Sequence, residues 1–333
     1  MMSPELSIII VNWNTRDLLK ECVQSIYKET KGISYEIFVV DNASADGSAA
    51  LIERQFPDVR LIRNEENLGY GRASNQALKF YQGEYVLFLN PDTQIQRNAI
   101  VTLVNFMKEN PGVGMTGPKT IHPDGTIQVS WAKFPCLSTV FTNNVSLNTA
   151  VSIFGVFGKL LKNNVRYTDS GLSVTDVTHC MKVDYLLGEF LLTKKSILET
   201  VGGFPDDIFM YEEETDLCYR IHQQGWEIWF VPDAQIIHHE KKSIRQIPNH
   251  IEKEVDWFIA GRSRFYRKYY GKVKLVFFHV FNFVNSLCKL AMYCVMDVVS
   301  LKKRTFVAEK FKWQWEVIVW YYRKLNSINI ELR

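Results

Sequence analysis

Apolar residues recur along this chain in two alternating rhythms. Residues 6–11 (LSIIIV) form a short β-branched run of the buried-strand kind, and after a polar turn at 12–16, residues 17–27 place apolar side chains at helical spacing. The cycle repeats with residues 35–40 (YEIFVV), a turn at 41–47 and a helix through Phe56. It repeats again with residues 59–62, a loop and a helix over 71–81, before a strand over 85–89 (YVLFL). Alternation of this sort predicts an α/β fold, a parallel sheet covered by helices on both faces. Ligands of such sheets bind beyond the carboxyl ends of the strands.

Those ends are polar. Asn12, Trp13 and Asn14 follow the first strand, Asp41, Asn42 and Ser44 the second, and Asn90, Pro91 and Asp92 the fourth. Taken alone, DNASADG is an ordinary helix-capping turn. Three polar clusters at three strand ends are harder to assign to capping. The run Gly69-Tyr70-Gly71-Arg72-Ala73-Ser74 begins like a dinucleotide fingerprint, with Asp92 about twenty residues on as a ribose-binding acid would be. Its third glycine is a serine, however, and the first strand-to-helix turn, where such a motif belongs, is the glycine-free NWNTR. Dinucleotide binding is therefore set aside. Residues 122–125 (HPDG) read as a hairpin turn, and the apolar segment 151–161 is expected to help shape a substrate pocket.

The last third changes character. Residues 275–301 are almost continuously apolar and long enough to span a bilayer. Yet His279, Asn282, Ser286, Lys289, Tyr293, Asp297 and Ser300 fall within an arc of about 80° on a helical wheel. A narrow polar stripe predicts a helix lying in the membrane interface rather than crossing it, since ions at bilayer depth cost about 2.5–3.5 kcal/mol each. Basic Lys302-Lys303-Arg304 and the aromatic residues 311–322 follow, in the manner of headgroup-level anchors. A dimer interface built from the same helices is the alternative.

Charge sharpens the division. The net charge of +3 hides 20 Lys and Arg against 28 Asp and Glu in residues 1–239, and 19 against 8 in residues 240–333. A basic tail on an acidic body seeks an anionic surface, nucleic acid or phospholipid. The apolar helix favours an anionic membrane surface and no nucleic acid. At 333 residues and 47% hydrophobic content the chain is long enough for one large core plus an appendage. Its six cysteines show no metal-ligand spacing and no secretory-type segment opens the sequence, which favours a cytoplasmic setting.

Several runs in order carry a family resemblance: LSIIIVNWNTRDLLKECVQSI, EIFVVDNASADGS, VRLIRNEENLGYGRASNQAL, GEYVLFLNPDTQI, and GEFLLTKKSILETVGGFPDDIFMYEEETDLCYRIHQQGW. Over about residues 5–245 the chain resembles the family 2 glycosyltransferases, most of all their bacterial rhamnosyltransferase-like branch. The resemblance implies a GT-A fold, a Rossmann-like mixed and mostly parallel sheet with helices on both faces. Residues 1–245 would be the catalytic domain and residues 246–333 a helical membrane-associating region.

The same resemblance implies roles. Val11 and Asn12 would lie along the nucleotide, and Asp41 would accept a hydrogen bond from a pyrimidine N–H, a task that suits an acceptor-only carboxylate. Arg72 and Asn75 would face the donor, although Arg72 reads equally as a solvated helix residue. Asn90-Pro91-Asp92 stands where the family has a DxD-type motif, so Asp92 would bind Mg²⁺ or Mn²⁺ with the diphosphate, joined by His238 in preference to His239. The glycines common after that histidine are here Glu240, Lys241 and Lys242. Gly188 and Glu189 would lie near the acceptor. In the crowded FMYEEETDLCYRIHQQGW, Glu214 aligns with the family's catalytic base, with Glu213 beside it, while Asp216 and Arg220 read as a structural i,i+4 pair.

The implied reaction is inverting transfer of a sugar, rhamnose from dTDP-rhamnose before a UDP-sugar, to a lipid-linked saccharide. The enzyme would work at the cytoplasmic face of the cell membrane in cell-surface polysaccharide synthesis. Two alternatives stand beside it. A nucleotidyltransferase would want a glycine-rich basic phosphate loop after the first strand; an inactive nucleotide-sugar binding protein would bind donor without turnover.

Overall fold

Three consecutive isoleucines stiff at χ1 fit a pleated strand covered on both faces. In the computed structural model, which describes residues 3–136, 178–240, 242–299 and 304–331, they form the fully buried β1 (Leu6–Asn12). Next come α1 (Arg16–Glu29), β2 (Tyr35–Asp41), α2 (Ser48–Gln55), β3 (Arg60–Arg63), α3 (Tyr70–Ala77), β4 (Tyr85–Leu89), β5 (Thr93–Gln96) and α4 (Ala99–Glu109). The chain continues through β6 (Val113–Ile121), β7 (Ile127–Gln128), β8 (Trp131–Ala132), β9 (Met181–Lys182), β10 (Tyr185–Leu186) and β11 (Phe190–Lys194). Helices α5 (Lys195–Val201) and α6 (Glu213–Gln223) then lead to β12 (Glu227–His238). The apolar segment 151–161 lies outside the described residues.

The main sheet runs in the order β3-β2-β1-β4-β11-β6-β12-β5. Its first four strands are parallel, as the alternating pattern predicts, and β6 and β12 form a second parallel pair. Strand β11 enters antiparallel between the two blocks, and β5 closes the edge antiparallel to β12. Alternate side chains of each central strand serve opposite faces. Leu6, Ile8 and Ile10 join Leu19, Val23, Ile52, Leu103 and Met107 in one large core. On the other face Phe88 meets Phe204 edge-on, ring centroids 4.7 Å apart. The HPDG turn links β6 to β7 as expected, with Gly125 N–H bonded to the His122 carbonyl at 2.9 Å.

One compact unit is built from the chain up to Phe134 and the stretch that ends at Gln246; a second takes a segment that starts at Pro135 and the chain from Ile247 on. The second holds α7 (His250–Tyr269), α8 (Gly271–Val299) and α9 (Arg304–Glu331). Tyr266 stacks on Phe278, and Val255, Ile259, Val317 and Tyr321 form a further apolar cluster. Here the sequence reading of the polar stripe is corrected. His279 lies 3.3 Å from Ser263 Oγ and 3.1 Å from Tyr321 Oη, Asn282 donates to the same phenol at 3.2 Å, and Ser286 is fully buried. These three residues of the stripe face the neighbouring helices, whose polar side chains meet His279 and Asn282 there, and are not the outward face of an interfacial helix.

Candidate active site

Strands β1 and β2 end in register, Asn12 opposite Asp41. Both residues are buried. Asn12 Nδ2 donates to Asp41 Oδ1 at 3.1 Å and to Ser44 Oγ at 3.1 Å, while Thr15 Oγ1 donates to Asn12 Oδ1 at 2.7 Å. The Ser44 backbone N–H donates to Asp41 Oδ2 at 3.1 Å. Each carboxylate oxygen thus holds one donor and keeps acceptor capacity for another. Val11 is buried just behind. Asn42 extends the network, donating to Asn67 Oδ1 and to the Gly69 carbonyl, both at 3.1 Å, and accepting from Asn64 at 2.8 Å.

A second cluster forms where β4 turns into β5. Asn90 N–H is bonded to the Glu189 carbonyl at 3.0 Å, and buried Asp92 follows. Because β5 pairs with β12 with Thr93 opposite His238, Asp92 Oδ1 comes within 3.2 Å of His238 Nε2. Burial lowers the affinity of that imidazole for a proton, but the Asp92 hydrogen bond and the charges of Asp92, Glu189 and Glu240 outweigh it and hold its pKa above the usual histidine value. The Gln128 amide lies against Nδ1, its nitrogen 3.0 Å away. Glu189 is buried and takes a hydrogen bond from Thr120 Oγ1 at 3.2 Å; burial pushes its carboxyl up.

Among the described residues no three His, Cys, Asp or Glu side chains converge to hold a metal by themselves. Asp92 with His238 offers one oxygen and one nitrogen donor at one point, which fits a divalent cation whose other ligands come from phosphate oxygens and water.

The third cluster sits at the start of α6. Tyr211 and Glu212 both have positive φ, 67° and 75°, a conformation rare for such residues that turns the chain sharply into the helix. Glu212 and Glu213 are buried and Glu214 is half-buried. Burial, and then the Glu212 charge, push the Glu213 carboxyl up to about 7. Asp216 and Arg220 form the expected pair at 2.7 Å, and Arg220 also donates to the carbonyls of Val201, Gly202 and Gly203. This pair fastens α6 to the end of α5.

Tyr70 escapes the sequence reading. Its phenol donates to the Gly188 carbonyl at 3.4 Å, and burial, then the charges of Glu213, Glu214 and Glu189, hold its proton on. It therefore stands between the acids at the start of α6 and the turn before β11. The signal lay in GYGRAS, whose glycines mark a close approach of backbones rather than a phosphate cradle. Gly69, at φ +80°, has room for no Cβ: one would come within 2.2 Å of the Phe209 carbonyl oxygen. Gly69→Ala should cost about 1–3 kcal/mol in backbone strain alone. A lower melting temperature together with weaker nucleotide-sugar binding is the expected result; a variant with wild-type melting and binding counts against this packing.

The predicted residues fall into two sets. Val11, Asn12, Asp41, Asn90, Asp92, Gly188, Glu189, Glu213, Glu214 and His238 all lie at strand ends or in the turns and helix start beside them. Arg72 is exposed on α3. Asn75 is engaged elsewhere: it accepts from Phe204 N–H at 2.9 Å and donates to the Phe204 carbonyl at 2.8 Å and to Asp206 at 3.1 Å, pinning the loop that leads to α6.

A mixed, mostly parallel sheet with amide and acidic groups gathered at the ends of β1, β2 and β4 has the architecture of the GT-A fold. The mannosyltransferase PcManGT from Pyrobaculum calidifontis, solved with GDP-Man and Mn²⁺, shares that fold: TM-score 0.58 at 17% identity, covering 98% of this chain and 88% of that one. Residues 7–165 match the sequence profile of "Glycosyl transferase family 2". The chain is 27% identical over 276 residues to the N-acetylglucosaminyl-diphospho-decaprenol L-rhamnosyltransferase of Mycobacterium tuberculosis, covering 78% of this chain and 86% of that one. It is 23% identical over 271 residues to the rhamnosyltransferase WbbL of Escherichia coli, covering 78% and 91%. Over residues 7–165 the chain is thus similar to the family 2 glycosyltransferases, and over most of its length it is rhamnosyltransferase-like in sequence.

Proposed function

We propose that the protein transfers a deoxyhexose, rhamnose from dTDP-rhamnose ahead of a UDP-sugar, with inversion, to a lipid-linked saccharide at the cytoplasmic membrane face during cell-surface polysaccharide synthesis. The observation that carries the reading is the common edge shared by Asp41, the Asp92–His238 pair and the acids of α6. The two rhamnosyltransferases it resembles over most of their length support the choice of sugar, and the mycobacterial one, by its name, the choice of acceptor.

Each residue has a task that its chemistry allows. Asp41, already oriented by Asn12 and the Ser44 N–H, accepts the base N–H, with Val11 and Asn12 alongside the nucleotide. Asp92 and His238 hold a divalent cation, Mg²⁺ or Mn²⁺, against the diphosphate, and Asn90 fixes the turn that presents Asp92. When bound, such a cation neutralises charge that develops on the departing diphosphate. Glu214 removes the acceptor hydroxyl proton on the face of the sugar opposite the leaving group, as inverting displacement through an oxocarbenium-like transition state requires. Buried Glu213 and the Tyr70 phenol lie close to one another in the same acidic cluster as Glu214, and Glu189 with Gly188 borders the acceptor side.

The test is a panel of nucleotide sugars offered with a polyprenyl-diphosphate saccharide, product being followed by mass. Transfer from dTDP-rhamnose with inverted anomeric configuration is expected. Donor binding without any transfer across the panel would replace the reading with a non-catalytic one.

A further inference from the structure

Helix α8 is built inside out. Its polar residues His279, Asn282 and Ser286 point into the three-helix unit, where the first two bond to side chains of α7 and α9. Its exposed side carries Val273, Val276, Phe277, Val280, Val284 and Leu287, all 45–71% exposed. At 100° per residue these six fall within an arc of about 100°, centred opposite the polar stripe, and run for about 21 Å along the axis. A soluble helix puts such a stripe in the core. Here, among the described residues, nothing in its own unit covers it, and a continuous apolar face of this size marks a docking surface.

Charge says what docks there. Arg267 and Lys268, which end α7, and Lys272 and Lys274, which open α8, are exposed, and no acidic residue lies among residues 257–296. Cations in the first turn of a helix oppose its dipole, so Lys272 and Lys274 do nothing for α8 itself. Tyr269 and Tyr270 stand between them, each with a lysine ammonium over its ring, Lys268 at 4.7 Å and Lys274 at 4.9 Å. Basic and tyrosine side chains at the end of an apolar stripe match a headgroup layer above hydrocarbon.

We propose that this face of α8 lies in the outer hydrocarbon of one leaflet of an anionic phospholipid bilayer, with the α7–α8 junction held at the headgroups. Residues 271–291 are long and apolar enough to cross a membrane. Crossing would, however, carry the packed α7 and α9 along, with the Arg323–Glu252 ion pair and the Asp256 carboxylate bonded to Trp320. In-plane insertion of one face leaves those ions wet. The proposal deepens the membrane part of the functional reading but does not depend on which sugar or acceptor is used.

Flotation of the full chain with vesicles free of any saccharide lipid tests it without turnover. The wild type should float with vesicles containing about 30% phosphatidylglycerol, less so in 0.5 M salt because headgroup attraction is screened within a few ångströms, and with an apolar remainder that persists. Val280→Glu with Val284→Glu should reduce flotation at least tenfold at both salt concentrations, and Lys272→Glu with Lys274→Glu should remove the salt-sensitive part. Circular dichroism and nucleotide binding confirm that each variant is folded. A milder pair, Val276→Ser with Phe277→Ser, covers failure of the glutamate variant to fold. Flotation unchanged by the apolar variants overturns the proposal, as does a variant whose only change is dissociation of a dimer, which would give the face to a second copy. Failure of flotation leaves the donor and acceptor assignments standing, and failure of those assignments leaves flotation unaffected.

Discussion

Glu214→Gln is expected to bind nucleotide sugar as the wild type does and to transfer it roughly 10²–10⁴ times more slowly, the usual worth of a general base. The amide keeps the shape and much of the hydrogen bonding of the carboxylate but cannot take a proton. Turnover rates set beside donor affinity from calorimetry separate the two effects. Glu213→Gln is the companion variant, because the two acids are neighbours at the start of α6 and differ in burial. Buried Glu213 has a pKa of about 7, raised first by burial and then by Glu212, against about 4.3 for a glutamate in an unfolded chain. Between those values the native state binds the proton and the unfolded state does not, so this group makes stability fall as pH rises from about 4 to 7. Above that window the loss is complete. The melting temperature of the wild type should therefore decline across it relative to Glu213→Gln, while Glu214→Gln should show the larger loss of rate. Wild-type turnover in Glu214→Gln would move the base to Glu213.

Much of the sheet could be read from local pattern, because a strand buried on both faces needs an uninterrupted apolar run and β1, β2 and β4 each have one. Helix α1 was legible for a similar reason: Leu19, Cys22, Val23 and Ile26 share one face and enter the core. Helix α3 was read too long, since beyond Ala77 the chain turns through shorter bonds, Lys79 to Gln76 and Phe80 to Ala77. Strand β11, inserted antiparallel between β4 and β6, left no local mark, for pairing partners about one hundred residues apart are chosen by the whole fold. Pro232 in β12 falls where the register with β6 shifts between Val231 and Gln235, a place where a missing N–H is tolerated.

The site divides the same way. Asn12 and Asp41 are strand-end residues that periodicity alone locates. Asp92 and His238 are joined only by the β5–β12 pairing, so no spacing announces them, and their association came from resemblance. Tyr70 was hidden by its glycines, which drew attention to phosphate binding. For α8 the wheel correctly grouped His279, Asn282 and Ser286 on one face, but a wheel cannot say whether water or another helix meets that face.

Chelation of divalent cations is expected to abolish transfer, and Asp92→Asn to weaken donor binding at least tenfold in Mg²⁺ or Mn²⁺ while changing it little without metal. A tenfold change is about 1.4 kcal/mol. The difference between the two conditions is the informative quantity, since a purely structural role for Asp92 would weaken binding equally in both. Such a role is a real competitor: Asp92 is buried against His238, and its backbone carbonyl accepts from His239 N–H at 3.0 Å. The asparagine side chain can still meet His238 Nε2 but brings no charge, so it spares the local fold while removing the ligand a hard cation prefers. Loss of the carboxylate also removes the largest influence that raises the His238 pKa. The imidazole of the variant should then lose its proton at lower pH, visible as a titration midpoint of its ring resonances moved to lower pH. Full transfer in excess chelator would sink the metal-dependent mechanism, whereas lost transfer with an unshifted histidine midpoint would show that Asp92 and His238 are not paired in solution.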